Sequence, residues 1–167
     1  NVERLDERLP GAARVDGDWC GLRSGDFELA FTDGRCAYET GRAVMDWLPH
    51  PQADAVAVSG APPLAHAMLA CAGLHALPLR DTPGLVVART LAMLVNEASD
   101  AVWQGVCSEE GADTAMRLGV NYPVGPFAWL AQFGAADLVG VLDALWCHSR
   151  SERYRVSPPL RRAAFGG

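Results

Sequence analysis

After Asp81-Thr82-Pro83-Gly84 no strand pattern recurs, and this change of periodicity constrains the fold more than any other feature of the 167 residues. From Leu85 to Trp103 apolar residues return at Val87, Leu91, Leu94, Ala98, Ala101 and Val102. That is close to the i, i+3/i+4, i+7 spacing of a helix with one buried face. Thr82 is placed to cap this helix, Pro83 to occupy its first position, and Gly105 to end it. Ser108 then opens a second helix through Leu118, with Glu109 and Glu110 where negative charge suits the helix dipole. Pro126 to Phe133 and Ala136 to His148 read as two more helices, and Pro158 to Phe165 as a short last one. Residues 81–167 are therefore expected to form an all-helical domain.

Residues 1–80 read differently. Asn1 to Gly25 is rich in charge and glycine and reads as a linker or loose lead-in. Phe27, Leu29 and Phe31 alternate with polar or small residues, and Asp33-Gly34 is a strong two-residue turn signal, so Phe27 to Tyr38 predicts a hairpin. Strand is expected near Ala43 to Leu48, stopped by Pro49-His50-Pro51. A strand–helix–strand unit follows: Ala55 to Ser59, a turn at Gly60, a helix begun by Pro62-Pro63 and stopped by Gly73, and a second buried strand from Leu74 to Leu79. One such unit is a fragment of an α/β sheet. The fold class expected is α+β: a small α/β lead-in over 1–80, then the helical domain over 81–167.

Composition excludes several functions. The net charge is −6, whereas a surface that tracks phosphates needs a basic excess, so nucleic acid is not an expected partner. All fourteen basic residues are arginine, so neither a Schiff-base nor a P-loop lysine is available. The five cysteines are odd in number and widely spaced, without a CxxC. No metal site or disulfide framework is expected, and reduced thiols in a cytoplasmic protein fit better. No apolar run has the ~18 residues needed to span a bilayer, and no signal peptide is visible. The absence of an initial methionine suggests an excised part of a longer protein.

Three ordered motifs carry a resemblance. Asp81-Thr-Pro-Gly-Leu-Val-Val-Ala-Arg89, continuing to Asn96-Glu97-Ala98, is similar to D-x-P-G-F-[IV]-x-N-R followed by a helix ending in N-E-A. Asp113-Thr-Ala-Met-Arg-Leu-Gly-Val-Asn-Tyr-Pro-Val-Gly-Pro-Phe127 is similar to I-D-x-A-M-x-x-G-x-G-Y-P-x-G-P-F. Arg153-Tyr154-Arg155 with Pro158-Pro159-Leu160 resembles the tail that follows. Together they resemble the C-terminal helical domain of the NAD-dependent 3-hydroxyacyl-CoA dehydrogenase family, over about residues 81–165. The implied fold is the 6-phosphogluconate/3-hydroxyacyl-CoA dehydrogenase C-terminal type, preceded here by a reduced Rossmann-like segment. Gly84, Arg89, Glu97, Tyr122, Pro123, Gly125 and Pro126 are its structural motif residues. In the second motif Pro123 pushes Tyr122 out of helical backbone, Gly125 is expected to adopt a conformation closed to other residues, and Pro126 starts the next helix.

The family's reaction is hydride transfer between NAD and C3 of a 3-hydroxyacyl-CoA. The resemblance implies a histidine–glutamate pair in an N-terminal nucleotide-binding domain as general base, and an asparagine at the start of the helical domain facing the substrate oxygen. This chain has Ala88 where that asparagine belongs, and a methyl group neither donates nor accepts a hydrogen bond. No GxG triplet occurs. The nearest strand-to-helix turn, Ser59-Gly60-Ala61-Pro62, lacks the glycines that let backbone approach a pyrophosphate. His50, His66, His75 and His148 have no carboxylate partner by motif, and Cys147 and His148, as adjacent helical residues, point apart.

No catalytic, cofactor or metal residue is therefore expected here. Some members of the family carry two helical domains in tandem, acting for example on 3-hydroxybutyryl-CoA or 3-hydroxyadipyl-CoA, with one catalytic copy. The chain is expected to be the second copy, its first 80 residues a non-binding relic of a nucleotide domain. Its partner is expected to be another helical domain of the family, met through Val87, Leu91, Leu94 and Ala98, while NAD and acyl-CoA bind elsewhere in the parent enzyme. Alternatives are a stand-alone oligomerisation module, or an acyl-CoA-binding module using Arg150, Arg153, Arg155, Arg161 and Arg162.

Overall fold

The computed structural model describes residues 13–15, 19–25 and 27–166. The chain divides into two compact units, the first ending at Ala88 and the second beginning at Arg89.

The first unit holds a six-stranded mixed sheet in simple sequential order: β1 (Ala13–Val15), β2 (Gly21–Ser24), β3 (Phe27–Phe31), β4 (Ala43–Met45), β5 (Ala55–Ser59) and β6 (His75–Pro78). Helices α1 (Ala37–Thr40) and α2 (Pro63–Cys71) carry the crossovers β3–α1–β4 and β5–α2–β6, both joining parallel strands. Between them β4 and β5 are antiparallel. The unit thus contains the expected β5–α2–β6 element, but its two parallel pairs run in opposite directions.

Two expectations for this region are corrected. Part of the proposed lead-in is sheet, since Ala13–Val15 and Gly21–Ser24 are strands; residues 1–12 lie outside the described residues. The hairpin is β2–β3, turned at Gly25 with Ser24 opposite Phe27, rather than Phe27 to Tyr38. Asp33-Gly34 instead starts the crossover into α1: Asp33 Oδ1 accepts from Arg35 N (3.0 Å) and Thr32 Oγ1 from Gly34 N (3.2 Å). A two-residue Asp-Gly signal is satisfied by any tight turn, and here the strand beyond it pairs in parallel.

The central strands are buried on both faces. Leu29, Ala30 and Phe31 of β3 and all of β4 are buried, as expected of strands covered from two sides. Ala30 lies beside Val44 in the register, and Leu85 closes over both, with Trp19 and Ala37 packed around them. By contrast β6 is not the buried strand expected. Leu74, just before it, is 2% exposed, but Leu77 and Leu79 are 44% and 40% exposed, because β6 is the sheet edge. His75 N donates to Asp54 O (2.6 Å), just before β5, and Leu79 N to Val58 O (2.8 Å) within it, so alternation turns position 78 outward. Proline there removes an outward donor, which blunts the edge against further pairing.

The second unit is helical. It contains α3 (Val87–Trp103) from Arg89 on, α4 (Glu109–Val120), α5 (Pro126–Phe133), α6 (Ala135–Ser149), a 3₁₀ turn (Glu152–Tyr154) and α7 (Pro158–Ala164). Ser108 caps α4 as expected, its hydroxyl accepting from Gly111 N (3.0 Å). Asn121 ends it in left-handed backbone (φ 57°), a conformation asparagine tolerates better than most residues. The core stripe of α6 is Leu138, Val141, Leu142 and Leu145, each at most 1% exposed. Each such side chain contributes roughly 1.5–3 kcal/mol by leaving water. In α3 the buried stripe is Ala88, Leu91, Ala92, Val95, Asn96 and Ser99. It is rotated from the apolar set expected: Val87, Leu94, Ala98, Ala101 and Val102 are only half-buried, because alanine, asparagine and serine fill the close-packed side. Among the described residues no single helix is long and apolar enough to cross a membrane.

Candidate functional site

The segment Asp81 to Ala88 leads to the position where the expected asparagine would stand. Asp81 Oδ1 accepts from Ala37 N (2.8 Å) and from the Ser59 hydroxyl (3.2 Å), and its Oδ2 from Tyr38 N (3.0 Å). Leu85 N donates to Thr82 O (3.1 Å), closing a turn with Pro83 and Gly84 at its centre. Gly84 has φ 68°, the positive value a type II turn requires at this place and glycine supplies without strain. Leu85 follows at φ 45°, unusual for a bulky residue. It is held there because its side chain is core (3% exposed) and the amides after it are anchored.

The anchor is Asp46. Its Oδ2 accepts from Val86 N (2.8 Å) and Val87 N (2.7 Å), and its Oδ1 from Ala88 N (2.9 Å) and Trp47 N (2.9 Å). The cap of α3 is therefore Asp46, forty residues upstream in sequence, not Thr82, whose hydroxyl donates to Arg80 O (3.0 Å). The helix begins at Val87 rather than Leu85. Asp46 is fully buried. Burial pushes its carboxyl above the usual range against the opposing pull of the four amides.

This geometry defines what position 88 can do. Ala88 is fully buried and its N–H is already bonded to Asp46. The amides of Val86 and Val87 are bonded to the same carboxylate. A helix N-terminus otherwise offers such donors to a substrate anion; here an internal carboxylate fills that role. At the other strand-to-helix turn, Gly60 (φ 64°) leads into α2, whose cap and first residue are Pro62 and Pro63. Proline has no N–H, so two positions in that turn offer no donor to a phosphate.

The second motif has a different physical basis from the one expected. Gly125 has φ −90° and ψ 171°, open to any residue. What requires glycine is proximity: a Cβ there would lie 2.5 Å from Asp113 Cα and closer still to the Asp113 carboxyl. That closeness lets Asp113 cap α5, Oδ1 accepting from Phe127 N (2.7 Å) and Oδ2 from Ala128 N (3.2 Å). Pro126 starts the helix and is buried, whereas Pro123 is exposed. Tyr122 meets Trp129 edge to face at 5.6 Å.

In the N-E-A motif Glu97 is exposed, and Asn96 makes the contacts. Its Nδ2 donates to Arg155 O (3.0 Å) and its Oδ1 accepts from Ser157 N (2.8 Å), clamping the segment before α7 onto α3. Arg155 reinforces the clamp through Asp100 (2.7 Å). Arg161 forms a two-bond pair with Asp143 (2.5 and 2.6 Å), and Arg150 lies over the Trp146 ring at 4.7 Å. Three of the five arginines considered for an acidic ligand thus have internal partners, while Arg153 and Arg162 are exposed.

Of the other residues singled out, Arg89 is half-buried and Leu91 is core at 4% exposure. His50 and His66 are half-buried, and His75 and His148 are exposed. His50 Nδ1 accepts from Gln52 N (3.3 Å), a local turn contact. Sequence reasoning missed Asp46, Asn96 and the capping roles of Asp81 and Asp113. One signal was present: Asp46 interrupts the apolar run Ala43 to Leu48, and a carboxylate in a buried run needs donors.

Comparison with known proteins agrees with the helical unit. The profile for 3-hydroxyacyl-CoA dehydrogenase, C-terminal domain, matches residues 84–164. The 3-hydroxyadipyl-CoA dehydrogenase of Escherichia coli K12 is 50% identical over 93 residues, covering 56% of this chain and 20% of that protein. A probable 3-hydroxybutyryl-CoA dehydrogenase of Bacillus subtilis is 34% identical over 95 residues, covering 57% and 33%. The crystal structure of 3-hydroxybutyryl-CoA dehydrogenase from Escherichia coli K12 superposes with a TM-score of 0.79 at 34% identity, over 92% of this chain and 34% of that one. That coverage extends beyond the helical unit into the sheet. The chain spans a fifth to a third of the length of these relatives. Residues 84–164 are a C-terminal domain of the 3-hydroxyacyl-CoA dehydrogenase family.

Proposed function

We propose that this chain is the C-terminal portion of an NAD-dependent (S)-3-hydroxyacyl-CoA dehydrogenase, and that this portion is a packing module without chemistry of its own. The observation that carries the reading is position 88. The family's asparagine is replaced by a buried alanine, and the three amides around it are held by Asp46. The sheet unit supports it. Its two parallel pairs run in opposite directions, so their carboxyl ends do not form the shared crevice in which α/β sheets bind dinucleotides. The first 80 residues are then a relic of a nucleotide domain.

The partner in this reading is another helical domain of the same family, from the parent chain or a second copy. Val87, Leu94 and Ala98 contribute a half-buried apolar face. Exposed apolar side chains near the ends of α3 and α4 include Trp103 (56%), Val106 (73%), Leu118 (81%) and Val120 (56%). NAD and acyl-CoA bind elsewhere in the parent enzyme.

Two measurements on the purified chain test this. NADH oxidation with acetoacetyl-CoA is expected to stay at background; turnover at an ordinary dehydrogenase rate overturns the non-catalytic assignment. Sedimentation velocity is expected to give a concentration-dependent dimer that Leu118→Glu dissociates. A monomer at every concentration, for both chains, refutes self-pairing.

A further inference from the structure

We draw no further inference here: the strongest candidate, the exposed apolar side chains Trp103, Val106, Leu118 and Val120 at and just beyond the C-terminal ends of α3 and α4, belongs to the pairing surface already proposed, and nothing in the structure shows what covers it.

Discussion

Replacing Gly125 by alanine tests whether proximity or backbone conformation demands the glycine. At φ −90° alanine is conformationally welcome, so a purely conformational argument expects no loss. The spatial argument expects a large one. The added methyl would sit 2.5 Å from Asp113 Cα, against about 3.5–4.0 Å for a normal carbon contact. Rotating the Asp113 side chain cannot relieve an overlap with its Cα, so the start of α5 must retreat from α4. Overpacking of this kind costs about 1–3 kcal/mol. Retreat also stretches the two bonds from Asp113 to Phe127 N and Ala128 N; losing an aspartate cap costs a further ~1–2 kcal/mol. The total is about 2–5 kcal/mol, or roughly 1–2.5 M in urea midpoint at a slope near 2 kcal/mol/M.

The assay is urea unfolding followed by the helical far-UV signal. Gly119→Ala is the control: it lies in α4, the helix that carries Asp113, with nothing within 4 Å of the new methyl, and is expected to stabilise by about 0.5–1 kcal/mol. Asp113→Ala alone should lose the cap. Adding Gly125→Ala to it should cost less than in the parent, because the bonds are already gone. A Gly125→Ala midpoint equal to that of the parent, or above it, refutes the reasoning.

Asp46→Asn leaves two backbone donors facing an amide NH2 and is expected to destabilise by about 2–4 kcal/mol. It should also change the pH dependence. Because burial raises the Asp46 pKa in the folded state, the folded chain holds that proton more tightly than the unfolded one. The resulting stability is full below the unfolded value of about 4 and declines as pH rises through the folded value. Urea midpoints taken from acid to neutral pH should lose this decline in Asp46→Asn; an unchanged slope contradicts it. Asn96→Ala removes both bonds to the Arg155–Ser157 segment, at a cost of about 2–4 kcal/mol. Limited proteolysis should then cut near residues 150–157 first, and an unaltered cleavage pattern counts against the clamp. Cys36 is 1% exposed, and burial, helped by Asp81 and Glu39, pushes its thiol up to about 11. Alkylation followed by mass spectrometry should label the exposed Cys20, Cys71 and Cys147 in the native chain and Cys36 only on unfolding; native labelling of Cys36 contradicts its placement.

The sequence by itself determined the features whose cause lies within a turn or two of the chain. The 3.6-residue periodicity after Gly84 marked the helices. Ser108 marked a cap, Pro126 a helix start, and Ala55 to Leu79 a strand–helix–strand unit, because each signal acts on its own neighbours. It also determined the absence of an asparagine at position 88, which no packing can restore. Tertiary structure decided everything that depends on a distant partner. Thr82 was the local choice for capping α3, but Asp46 holds all three available amides with two charged oxygens. Asp33-Gly34 was the better local hairpin turn, but sheet pairing placed the hairpin at Gly25. Glycine at position 125 is required by Asp113 packed against it, not by its own backbone conformation. The buried face of α3 lay one residue aside from its most apolar stripe, because close packing selected small side chains and the Asn96 clamp over hydrophobicity. A short-range pattern ranks the options at each position; the choice among them is made by whichever group three-dimensional packing brings into contact.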